Sequence, residues 1–121
     1  MSYYWEIDGK VNFKKKATKE EKNQALAVLV EIFGSPGVDE TFDIDTFFCE
    51  MDHGGVMEAN DDCIHVDTYQ SFLGGAEEIT DFLNCEEVCR VTKSGSRFTF
   101  TDDFHNKEWL RFKGGHWVVE D

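Results

Sequence analysis

A chain of 121 residues, 40% of them hydrophobic and 14% aromatic, has room for one domain, 1–121, with a substantial core of its own. Its formal net charge of −13 excludes direct nucleic-acid binding as the main activity, because phosphates would be repelled. No apolar stretch reaches the roughly 20 residues of a membrane span, and the start lacks the basic and apolar regions of a secretory signal, so a cytoplasmic protein is expected.

Tyr3, Trp5 and Ile7 alternate with polar residues, and Asp8-Gly9 offers a tight turn before Val11 and Phe13. That pattern predicts a hairpin, or one long strand with a bulge. Thr18 followed by Glu21 is a capping box, in which each side chain satisfies a free amide of the first turn. Leu26, Leu29, Val30 and Phe33 continue at helical spacing, Ala25, Val28 and Ile32 widen the apolar surface, and Gly34 and Pro36 end the helix. Residues 42–52 read as a strand bulged near Thr46, with Phe42 and Ile44 on one face and Phe47, Cys49 and Met51 on the other.

Gly54-Gly55 supplies a turn, after which Ile64 and Val66 face inward and Cys63, His65 and Asp67 face away. A shorter helix follows Gly74-Gly75, with Ala76, Ile79, Phe82 and Leu83 inward and Glu77 and Glu78 placed to suit the dipole of its first turn. Residues 88–93 predict a strand running into a Ser94-Gly95 turn. Phe98 and Phe100 then share a face, Leu110 and Phe112 oppose Trp109 and Arg111, and Trp117 and Val119 alternate with Val118 after Gly114-Gly115. The expected fold is α+β: an antiparallel sheet with two helices on one face, a ferredoxin-like βαββαβ core extended by a C-terminal β-meander.

Charge is distributed unevenly. Residues 1–33 carry six lysines against five acids, and residues 91–121 carry five of each sign. Residues 34–90 carry fifteen acids against Arg90 alone. A solvated surface explains acids in general, but unopposed acids repel and destabilise the compact state. The expected site is therefore an acidic partner-binding face drawn from Asp39, Glu40, Asp43, Asp45, Glu50, Asp52, Glu58, Asp61, Asp62 and Asp67. Acids two apart on a strand lie roughly 6–7 Å from each other, of the order of the phosphate spacing along a nucleic-acid strand. Phe42, Phe48, Tyr69 and Phe72 offer aromatic anchors within or beside the charged region.

These features point to a small acidic protein-binding module. Its expected partner is a basic protein, a nuclease or other nucleic-acid-binding protein, whose cationic site it occupies as an inhibitor. Anti-CRISPR, anti-restriction and nuclease-immunity proteins act in this way; the comparison rests on size and charge and on no shared motif. Self-association of the lysine-bearing end, Lys10 to Lys22, with the acidic middle of a second copy is a further option.

The alternative is a small enzyme or a ligand- or metal-binding domain. Cys49, His53, Cys63 and His65 are zinc-capable and fall within seventeen residues. An extended segment separates Cys49 from His53 by roughly 13 Å and turns Cys49 away from Cys63, so no metal is expected. Asp39, Glu40, Asp43, Asp45 and Asp61-Asp62 suggest calcium, but the fixed acids, central glycine and closing glutamate of an EF-hand are absent. No nucleophile motif or phosphate-cradling loop stands out, and neither a cofactor nor a catalytic residue is expected. Cys85 and Cys89 read as packing near a helix end. The four cysteines fit reduced, part-buried thiols.

Overall fold

The computed structural model describes residues 4–33, 43–51, 54–71 and 75–120. Among the described residues seven strands and three helices follow one another as β1 (Tyr4–Asn12), α1 (Lys19–Phe33), β2 (Phe48–Glu50), β3 (Gly55–Ala59), β4 (Cys63–Ser71), α2 (Gly75–Leu83), α3 (Glu86–Cys89), β5 (Arg97–Thr101), β6 (Lys107–Lys113) and β7 (His116–Glu120). The strands form one sheet in the order β2-β3-β4-β1-β5-β6-β7. All of its strand pairs are antiparallel. The expected class is observed, including the meander of β5, β6 and β7.

Alternation decides which face of the sheet is buried. Trp5, Ile7 and Val11 of β1 line up with Ile64 and Val66 of β4, Phe98 and Phe100 of β5, and Leu110 and Phe112 of β6. The helices cover this face with Ala25, Leu26, Leu29 and Phe33 from α1 and Ala76, Ile79 and Leu83 from α2, closing a single core. Phe98 stacks on Phe33 and packs against Trp117, whose ring also meets Phe112 edge-on. No described helix is long and apolar enough to cross a membrane.

The Asp8-Gly9 pair makes no turn. β1 runs straight through it as the middle strand, paired with β4 on one side and β5 on the other. Gly9 is needed there for space, since a Cβ would collide with the ring and backbone of Phe98. The capping box forms as expected: the Thr18 amide donates to Glu21 Oε1 at 2.9 Å and the Glu21 amide to Thr18 Oγ1 at 3.1 Å. Gly34 and Pro36 lie outside the described residues.

Three expectations are corrected. Residues 43–46 form a turn, and only Phe48–Glu50 is strand, because Asp43 Oδ1 accepts from the Asp45 amide and Asn23 of α1 accepts from the amide of buried Ile44. Side-chain acceptors that satisfy the backbone locally favour a turn over a ladder. The turn at Gly54-Gly55 forms, with the Gly54 amide donating to the Met51 carbonyl, but it leads into an unexpected strand, β3, joined to β4 by a turn in which Asn60 Oδ1 accepts from the amides of Asp62 and Cys63. Residues 88–93 are no strand: they hold the end of α3 and a turn, tied by Thr92 Oγ1 donating to the Val88 carbonyl, and leave one bridge between Phe13 and Thr92.

Candidate functional site

Seven of the ten acids singled out from sequence are described, and they fall on the turn at residues 43–46, on the β3–β4 turn and on strands β2, β3 and β4. Asp39, Glu40 and Asp52 lie outside the described residues, as do Phe42 and Phe72. Asp43 and Asp45 share the Lys19 ammonium at 3.4 and 2.8 Å, so they are partly neutralised by the first helix. The Asp45 amide, together with Lys19 and against some desolvation, holds the Asp43 carboxyl below its usual range. Asp61 is held by Lys22, whose Nζ reaches its carbonyl at 2.8 Å and its carboxylate at 2.9 Å; Asp62 is its exposed neighbour.

Glu50, Glu58 and Asp67 do converge, on the sheet face that faces away from the helices. No element among the described residues covers that face. The strand register sets its side chains in rows. One row runs Glu50, Val56, Asp67, Asp8, Thr99, Trp109, Glu120 from β2 to β7. The next runs Phe48, Glu58, His65, Lys10, Arg97, Arg111, Val118. With Glu6, also on β1, the β2–β3–β4–β1 half carries five carboxylates; Lys10, Arg97, Arg111 and Lys113 make the β1–β5–β6 half cationic.

The open face is thus polarised from one edge of the sheet to the other. At its centre Asp8 and Asp67 are direct cross-strand partners, a like-charge juxtaposition that opposes folding. His65 lies between two acids, with Nε2 3.0 Å from Asp8 Oδ1 and Nδ1 3.6 Å from Glu58 Oε1. Lys10, Arg97 and Arg111 form the corresponding run of like cations, of which Arg111 is answered by Glu120 at 3.3 Å. Phe48, 60% exposed, marks the acidic edge, and the rings of Tyr4 and Tyr69 stack 6.1 Å apart nearby.

The helical side holds a second feature, which the sequence pattern missed. Val28 and Ile32 of α1 face Ile79 and Phe82 of α2 across a groove of about 480 Å³ that reaches Cys85 and Gln70. Among the described residues its charged lining is Glu31, Glu78 and Glu87, all acidic. Phe82 was expected in the core but is 57% exposed. Ala76, Ile79 and Leu83 fill the buried stripe, and Phe82 falls at its edge. The legible signal was the excess of apolar residues on α1 over what one buried stripe requires.

Desolvation is the leading cause that raises the Cys63, Cys85 and Cys89 thiols above the ordinary value of 9.0, which keeps them protonated and weakly nucleophilic at neutral pH. Cys49 pairs with buried Met57 on the helix-facing side, whereas Cys63 and His65 belong to the open face; His53 lies outside the described residues. Among the described residues no group of three or more His, Cys, Asp or Glu side chains converges on a point that could hold a metal. The four cysteines are unpaired. No family model, no curated protein and no solved structure matches this chain.

Proposed function

We propose that this chain is a small acidic protein-binding module that docks on a cationic surface of a partner through the β2–β3–β4–β1 half of its open sheet face. The observation that carries the reading is the direct opposition of Asp8 and Asp67 in the middle of the sheet. Like charges across a strand pair oppose folding, and a cation supplied by a partner would relieve them. Glu6, Glu50 and Glu58 extend the same surface, and Phe48 and Tyr69 stand beside it as exposed aromatic anchors. The cationic half of the face fixes the orientation of docking, because a partner with the reverse polarity fits in one sense only.

Within this reading the partner is a nuclease or another nucleic-acid-binding protein, since cationic clefts are concentrated in that class, and the chain acts as its inhibitor. The free thiols agree with a cytoplasmic setting.

Immobilised wild-type chain should retain strongly basic proteins from lysate at physiological salt and release them at high salt. The variant Glu50→Lys, Glu58→Lys, Asp67→Asn should retain roughly tenfold less, equivalent to about 1.4 kcal/mol. Equal retention by wild type and variant would reject the sheet face as the contact. Duplex DNA that binds the captured partner together with the chain, without displacing it, would reject occupation of the nucleic-acid site.

A further inference from the structure

The groove between α1 and α2 lies on the side of the molecule opposite the polarised sheet face, so it is independent of the reading above. Two ridges enclose it. Val28 and Ile32 are one turn apart on α1, and Ile79 and Phe82 are three residues apart on α2. Ridges at these spacings are what a third helix packs between. The volume, about 480 Å³, falls within the size range of ligand pockets. Phe82 at 57% exposure leaves a large apolar side chain in water beside that floor.

Charge identifies the occupant. Glu31 from α1, Glu78 from α2 and Glu87 from α3 stand around the apolar floor, and no lysine or arginine lines the groove among the described residues. Glu77, Asp81 and Glu86 continue the acidic surface beyond the rim, and Arg90 on this side is already engaged by Glu21 and Glu86 at 4.0 and 3.6 Å. We infer that this groove is a docking site for an amphipathic helix of a partner protein, with one apolar ridge seated between Ile32 and Phe82 and lysines or arginines on its shoulders. An acidic helix would meet the negative charge of three carboxylates, and an isolated apolar ligand would make no use of it. The mode is helix-in-groove recognition, with anchors at i, i+3 and i+4.

The test uses the full chain and a fluorescein-labelled amphipathic peptide of leucine and lysine, read by fluorescence polarisation. Saturable binding is expected, with no binding of the peptide in which glutamate replaces lysine. Phe82→Ala, at an exposed position, should weaken binding about tenfold or more with unchanged circular dichroism. Ile32→Asp should also weaken it, even though the added charge increases the general attraction for cations. Glu50→Lys with Glu58→Lys, on the other face, should leave it unchanged. The proposal is overturned if the lysine peptide fails to bind wild type, if Phe82→Ala binds as wild type does, or if the sheet-face variant removes binding.

Discussion

Asp67 stands across from Asp8 in the register of β4 and β1, and each carboxylate raises the energy of the other. Asp67→Asn keeps the side-chain shape and removes one of the two charges. It should stabilise the fold by a few tenths of a kcal/mol, roughly the size of a cross-strand pair interaction, with a gain that shrinks as salt is added. Urea midpoints at low and high ionic strength measure it; a loss of stability would show that Asp67 is structurally satisfied. Sequence alone located the acids but not their neighbours. Asp43 and Asp45 were legible as a local pair, whereas their capture by Lys19, some 25 residues earlier, depends on where α1 begins against the turn. Phe82 was misplaced for a related reason, because helical spacing says which residues share a stripe but not where the stripe ends.

Elements with a local signature were readable in advance: the capping box opened α1, and Gly114-Gly115, both with positive φ, closed the β6–β7 hairpin. Elements set by distant partners were not. β3 and β4 are separated by a turn that Asn60 organises, and residues 88–93 gave up strand pairing to α3 and its following turn. Lys22 shows how such elements are tied together. Although charged, it is 7% exposed, lies 5.2 Å from the centre of the Phe13 ring, and donates to Asp61 in the β3–β4 turn. It therefore anchors α1 both to Phe13, the residue that follows β1, and to that turn. Lys22→Ala should destabilise the protein by about 1.5–3 kcal/mol, the range for hydrogen bonds to a charged group, seen as a lower urea midpoint with unchanged slope. A change under about 0.5 kcal/mol would place the ammonium among merely solvated charges.

At the scale of the molecule, fold class followed from composition and alternation, while the polarity of the open face required the strand order. β1 is central only because β4 and β5 flank it, and that order sets acids from the middle of the chain on one side of it and cations from the end of the chain on the other. The same fold sets a pH response. Thr18 holds the Glu21 carboxyl low; the Glu87 amide and the Cys85 thiol do so for Glu87, and the Asp45 amide and Lys19 for Asp43. At Asp102, desolvation acts the other way but is outweighed by donors from Asn106 and Phe104. A carboxyl whose folded pKa is depressed stabilises the fold above its ordinary value, 4.5 for Glu and 3.8 for Asp, and loses that contribution as pH falls through the lower folded value. Urea midpoints should therefore hold between pH 7 and 5 and decline below about pH 4. Lys19 acts in the opposite sense: held above 10.5 by Asp45 and Asp43, it contributes below that value and is lost in strong alkali. Constant stability down to pH 2 would contradict the acid arm.

The position of β1 also constrains how the native state is reached. Its register joins Asn12 to Cys63 and Lys10 to Arg97, so the strand that holds the sheet together acquires its two neighbours only after loops of fifty residues or more close. Such long-range pairing belongs to slow folding, on the order of milliseconds to seconds, because chain entropy is lost before contacts return it. In the interval Trp5, Ile7 and Val11 remain unshielded on a strand with two open edges, and that waiting segment is where misassembly would begin.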